Sequence, residues 1–410
     1  MPIVRAALVA SAVVLSAICA VAAGSAQTAD GQIVPSTLES PAKTDSAQPQ
    51  LTVSKRGVLL SWIERTGPEA TLKFSERTAD GWTAPTVVAA GRDWFVNWAD
   101  VPSVVRLEDG TVVAHWLQKS GPDTYAYDVR LSHSRDGGKT WSSPIKPHSD
   151  GTKTEHGFAT LFQMPGAGLG LVWLDGRNMK EGGHGGHDDS MTLRFGSFGK
   201  DWKQTAETEL DARVCECCPT TAALTADGPI VAYRDRSPDE TRDIYVARLE
   251  NGKWSTPKAV HADGWRVPAC PVNGPALSAR GKQVAIAWFN AKDDRPKSFV
   301  ALSSDSARSF GAPVRLDDQA SLGRVDIELL PDGSAIAAYM EFADQTAQFR
   351  VRRIWPDGRK SAPITIAGMA GNRSSGHPRM ALHGQELVFA WIERAGSASQ
   401  VRTAVAKIPN

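Results

Sequence analysis

Seven times along this chain an apolar run ends on an aromatic residue followed by polar ones, at Trp62, Trp116, Trp173, Tyr233, Trp288, Tyr339 and Trp391. These aromatics recur roughly every 50 to 60 residues, the period of a stacked repeat whose single unit cannot bury its own apolar face. Each unit reads as four short strands. Turn signals such as Glu108-Asp109-Gly110, Ala226-Asp227-Gly228 and Pro331-Asp332-Gly333 part the first two strands, with glycine supplying the positive φ. Helical periodicity is absent after residue 30, which argues against a helical solenoid. The expected fold class is all-β, a β-propeller of four-stranded blades. Seven inner strands favour seven blades, with six as the alternative. The last unit, Arg379 to Ile408, stops after its third strand. Residues 31–38 can supply the missing outer strand, closing the ring from the N-terminus and removing a free sheet edge.

The second turn of one unit reads Ser134-Arg135-Asp136-Gly137-Gly138-Lys139-Thr140-Trp141, a full S-x-D-x-G-x-T-W. Partial copies stand at Ser303 to Phe310, Asp80-Gly81-Trp82, Asn251 to Trp254 and Pro356-Asp357-Gly358. The aspartate can accept hydrogen bonds within its own turn while the aromatic packs between sheets, so the motif is a staple of the fold. It resembles the Asp box, or BNR repeat, of the sialidase-like propellers, and the resemblance runs from about residue 50 to the end.

That resemblance implies an exo-α-sialidase-type glycoside hydrolase, in which three arginines hold a carboxylate and a glutamate activates a tyrosine, with an aspartate as acid/base. Guanidinium suits the task because its planar fork binds a carboxylate bidentately. The catalytic candidates it implies are Asp100, Arg234, Arg236, Arg324, Asp326 and Glu341, with Trp98, Asn273, Arg177 and Arg379 for ligand binding. The sequence also departs from the family. Ile33-Val34-Pro35 lacks the arginine of an Arg-Ile-Pro motif, and Tyr233 and Tyr339 fill the repeated aromatic position. Tyr245 lies within a third strand, and Tyr125 and Tyr127 have no glutamate partner evident in sequence.

Residues 1–26, with Arg5 and an apolar, alanine-rich run bordered by small residues, read as a secretory signal peptide, a membrane anchor or a lipid-bearing Cys19 being the rivals. The expected location is periplasmic or secreted, with no membrane span in the mature chain. Residues 27–49 read as a polar linker with the possible closing strand, and 50–410 as the propeller. A formal net charge of +1 gives no reason to expect nucleic acid as a partner.

In a propeller, the segments leading into each inner strand and those leaving each second strand gather on one face. Here the lead-ins carry Trp98 and Asp100, His156, Cys215 to Pro219, Cys270 to Asn273, Arg324 and Asp326, and His377 and Arg379. The segments leaving second strands carry Glu64, Asp175, Arg177, Arg234, Arg236 and Glu341. The long loop after the third unit holds His184 and His187, a pair able to bind a metal or simply to be solvated. Cys215, Cys217, Cys218 and Cys270, with His156 or His377, form a donor set for a soft metal, copper(I) or zinc. Disulfides among the cysteines, or a redox-active thiol pair, are the alternatives in an oxidising compartment. Adjacent Cys217 and Cys218 cannot both point the same way along a strand. Three functions stay open: a propeller binding a metal or small-molecule ligand at its mouth, a glycoside hydrolase, and a scaffold for a protein or glycan partner.

Overall fold

The computed structural model describes residues 33–166, 168–180 and 190–408. The segment read as a signal peptide and the His184/His187 pair lie outside the described residues. Among those described, the strands form seven sheets, and the helical content is two single turns, Lys292–Asp294 and Arg373–Ser375.

The inner strands are Ser46–Ser54, Ser103–Arg106, His156–Met164, Thr221–Thr225, Ala276–Arg280, Ala320–Leu329 and Arg379–His383. They define blades 1 to 7. Each touches the next, and the seventh touches the first, so the blades close into a ring. Within a blade, neighbouring strands pair antiparallel through tight turns. Blade 2 has three strands, and in place of a fourth, Ile145 exchanges both backbone hydrogen bonds with Leu131 at 2.9 Å.

Closure follows the expected route. Ser36–Leu38 pairs antiparallel with Ala398–Lys407, with Ser36 opposite Val405 and Leu38 opposite Thr403. Ile33, just upstream, is buried with Leu330, Phe349, Leu387 and Phe389 between blades 6 and 7. The inner strand of blade 1 already begins at Ser46, within the stretch read as linker.

The repeated aromatic has a physical explanation. A fully buried indole must place its N–H on an acceptor. Trp62 donates to Glu64 Oε1 at 2.9 Å and Trp173 to Asp175 Oδ2 at 2.7 Å, each two residues on, which accounts for the polar residues that follow the aromatic. Trp288 instead reaches Asp263 Oδ2 at 2.7 Å. Trp116 has Gln118 at the corresponding place, and its N–H has no partner while the ring stacks on Trp94.

The Asp box behaves as a staple. Asp136 accepts from Ser134 Oγ, Thr140 N and Thr140 Oγ1 at 2.6–2.9 Å, and Trp141 sets an edge against Phe74 of blade 1. Asp305 repeats the pattern with Ser303 and Ser309.

Ring closure makes a direct prediction. A chain starting after Leu38 loses the outer strand of blade 7 and the burial of Ile33, and should be less stable by about 2 kcal/mol. A lowered urea midpoint with unchanged far-UV circular dichroism is the expected result; an unchanged midpoint would show that the strand does not hold the ring.

Candidate functional site at the mouth of the channel

The lead-in segments of blades 2 to 5 and of blade 7 converge on a cavity of about 250 Å³, lined by Phe95, Trp98, Tyr125, Glu155, Cys217 and Arg373 among others. The guanidinium carbons of Arg324 and Arg373 lie 5.1 and 5.8 Å from the centre of the Trp98 ring, and His377 stacks on that ring at 5.5 Å.

The cysteines form the densest chemistry. The stretch after Val214 leaves the strand and turns at Glu216 and Cys217, so the alternation that would set Cys217 and Cys218 on opposite faces does not apply. Both face Cys215: its sulfur is 2.9 Å from that of Cys218 and 3.9 Å from that of Cys217. All three are buried in the apolar core between blades 3 and 4, with Met191, Val214 and Val231, and Cys270 is exposed. No disulfide joins any of the four among the described residues.

Beneath the thiols lies a buried ion network. Arg242 Nη1 is 3.3 Å from Cys215 Sγ and 3.0 Å from Glu216 Oε2, and Arg242 Nη2 donates to Glu240 Oε2 at 2.8 Å. Arg236 joins Glu216 to Glu240. Burial opposes ionising Cys215, but hydrogen bonds from Cys217 and Cys218 and the charges of Arg242 and Arg234 outweigh it and hold the thiol well below its ordinary range. Burial pushes Cys217 and Cys218 up. Of the three thiols in the nest, Cys215 is thus the one whose surroundings most favour the thiolate.

A second buried cluster reaches the same cavity, which Tyr127 and Glu155 also line. The Tyr127 hydroxyl donates to Glu155 Oε1 at 2.7 Å and lies 3.0 Å from Asp100 Oδ2, while Phe158 N donates to Asp100 Oδ1 at 2.8 Å. Glu155 is the partner that Tyr127 lacks in the sequence, supplied from 28 residues away. Burial raises Asp100 to about 7, and burial with the nearby Glu155 charge raises Tyr127 far above a phenol's usual value.

Several residues singled out from the sequence are engaged elsewhere. His156 is not with the cysteines: it stacks on His148 at 3.8 Å, beside Asp150 and Asp175. Arg177 grips Asp175 and Glu207. Arg234 donates to the carbonyls of Asn273, Arg242 and Phe289 at 2.6–2.9 Å. Arg324 donates to the Gly376 and Asn372 carbonyls and to Ser375. Glu341 pairs with Arg350 and accepts from Asp318 N. Asn273 accepts from Arg324 N at 2.7 Å, joining blades 5 and 6. Asp326 and Arg379 line the central channel, a cavity of about 280 Å³ on the axis below the mouth. The structure therefore brings together Trp98, His377, Cys217 and Cys270 around the mouth and disperses the arginines. Arg242 and Arg373, which it adds, carry no motif in the sequence.

No protein-family profile matches the sequence, and no curated protein matches it. In architecture the chain is a β-propeller: seven blades, a complete Asp box in the second, and an N-terminal strand completing the last. Among solved structures, polysaccharide lyase Uly1 matches with a TM-score of 0.54 at 10% identity, over 88% of this chain and 90% of that one. A K499G mutant of the NanB sialidase from Streptococcus pneumoniae matches with a TM-score of 0.47 at 9% identity, over 92% and 98%. The first likeness shows the fold alone. No helix among the described residues is long and apolar enough to cross a membrane.

Two outcomes follow from the fate of the charges. Arg234→Met strands three buried carbonyls and should cost about 3 kcal/mol or more of stability, read as a lower urea midpoint; a purely ligand-binding arginine would leave the midpoint unchanged. In the channel, Glu328 is raised to about 8, first by burial and then by Asp326, although it accepts from Leu382 N and Ser278 Oγ at 3.2 Å. The folded state holds this proton more tightly than the unfolded chain, so the group's contribution to stability falls as pH rises from about 4 to about 8. Glu328→Gln should flatten that decline between pH 5.5 and about 8, measured as urea midpoints against the unaltered protein; parallel curves would refute the assignment.

Proposed function

We propose that this sialidase-like propeller binds a soft metal ion, copper(I) or zinc, in the nest of Cys215, Cys217 and Cys218 at the mouth of its channel. The observation that carries the reading is the convergence of three buried sulfurs, all within 4.8 Å of one another, with the Arg242 guanidinium 3.3 Å from that of Cys215. A soft ion at about 2.3 Å from each thiolate holds its sulfurs nearly 4 Å apart. Cys215 and Cys217 stand at 3.9 Å already, and Cys218 needs only to rotate outward. Arg242 offsets part of the negative charge that three thiolates bring, and Glu216 and Glu240 fix its position. The apolar surroundings exclude water, which favours sulfur-bound ions over hydrated ones. Residues 1–26, read as an export signal, would send such a site to an oxidising compartment, where burial shields the three sulfurs of the nest.

A second reading, a glycoside hydrolase, has one observation in its favour: Tyr127 between Glu155 and Asp100 reproduces the tyrosine, glutamate and aspartate that the Asp-box resemblance implies. Against it, Tyr127 and Asp100 are fully buried, and Arg234, Arg236 and Arg324 are bound to carbonyls or carboxylates of the protein.

Protein purified without reductant and titrated anaerobically with copper(I) should take up one ion per chain, and Cys217→Ser/Cys218→Ser should lose that uptake while keeping its fold. Absence of reactive thiols before reduction, with no metal bound, would mean that the cysteines are disulfide staples and would remove the proposal. Hydrolysis of a fluorogenic sialoside, lost in Tyr127→Phe and kept in the double serine variant, would move the assignment to the second reading.

A further inference from the structure

We infer that Cys270 is the receiving thiol of this centre: it takes the ion from a soluble sulfur-donor carrier at the cavity surface and passes it to Cys217, without staying in the final ligand set. The inference rests on the reading of the nest as a metal site.

Burial divides the four cysteines by task. Cys215, Cys217 and Cys218 are at most 4% exposed, whereas Cys270 is open to solvent. Among the three buried thiols, Cys217 is the one that lines the mouth cavity, and it shares that lining with Cys270. The two thiols interact directly, yet Cys270 stands outside the tight three-sulfur group. A path from solvent to the nest therefore runs through Cys270 and then Cys217.

The chain following Cys270 is built to hold it there. Gly274 packs so closely on the cysteine loop that a Cβ would sit 1.9 Å from the Pro219 carbonyl oxygen, so no other residue fits. Val272 adopts φ of +51°, an unfavourable conformation for a β-branched residue that the surrounding contacts must support. Asn273 is clamped on both sides, its carbonyl accepting from Arg234 Nε at 2.9 Å and its side chain from Arg324 N at 2.7 Å. The buried Arg234 and Arg324 thus anchor the strap that presents Cys270 over the nest.

The chemistry requires such a thiol. A soft ion travels bound to sulfur, and it moves by associative exchange, in which the new bond forms before the old one breaks. Buried sulfurs cannot reach a carrier, and an exposed one can. The Cys270 sulfur binds the ion as one carrier sulfur leaves. Cys217 then displaces the remaining carrier ligand, and Cys215 and Cys218 displace Cys270. Each thiol that binds releases its proton to solvent, Cys270 regains one when displaced, and no electron is transferred. Phe95, Trp98 and Tyr125 give the cavity an aromatic wall against which the organic part of a small thiol or thioether complex can lie.

The test is stopped-flow transfer of copper(I) from its glutathione complex, a sulfur-donor carrier, to the unaltered protein and to Cys270→Ser, alongside the equilibrium affinity of each. Cys270→Ser should still bind one ion with little change in affinity, but load at least about tenfold more slowly. A second measurement guards against misfolding: blocking the exposed thiol of the native protein with iodoacetamide should slow loading to the same degree. Equal loading rates in all forms would overturn the inference. So would a loss of affinity of about tenfold or more in Cys270→Ser, which marks a resident ligand. If the unaltered protein binds no copper(I), the metal reading itself fails, and the inference falls with it.

Discussion

Everything distinctive about this protein depends on closure of the ring. Three residues near the N-terminus, Ser36–Leu38, add the outer strand to a blade made from the last thirty residues, and the inner strand of blade 1 packs against that of blade 7. Closure leaves fewer free edges for aggregation. More important for function, it fixes seven inner strands about one axis. Lead-ins that are far apart in the chain then meet at one mouth: Trp98 from blade 2 lies under His377 from blade 7, and Cys217 from blade 4 beside Cys270 from blade 5.

The interior of the ring holds several charged side chains, and their hydrogen bonds are made within the protein. Arg234, Arg236, Arg242 and Arg324 are each less than 9% exposed and saturated with carbonyls or carboxylates. A buried guanidinium left unpaired costs several kcal/mol, so these partnerships are structural necessities. They also tie up these four arginines within the protein, while Arg373 lines the mouth cavity. What remains reactive at the mouth is sulfur. Cys215 has a cation beside it, and its neighbours are thiols already aimed inward.

The sequence made much of the fold legible because propeller blades carry local signals. The aromatic ending each second strand, the Gly-containing turns and the Asp box are short-range patterns, and Asp136 needs only residues within four positions to do its work. The closing strand was legible by subtraction, since the last unit lacked one. The convergence of Trp98, Cys217, Cys270 and His377 at one rim also followed, because position within the repeat sets which face a residue reaches. The partners of individual side chains did not follow. His156 sits at the right level for the cysteine nest, yet its ring turns to His148 and Asp150 in the connection between blades 2 and 3. Tyr127 acquires Glu155 through a connection that no periodicity predicts.

The sequence by itself determined the architecture and the face on which chemistry collects, and favoured seven blades over six with closure from the N-terminus, since each depends on patterns repeated at short range. Only the tertiary structure decided which residues of that face remain available. Whether an arginine meets a ligand or a carbonyl, and whether three cysteines point together, turns on packing between blades, which brings residues from distant parts of the chain to within 3 or 4 Å. Physically, backbone geometry sets position within a repeat, whereas burial obliges every charge and N–H to find a partner, and that partner is chosen by contacts between repeats.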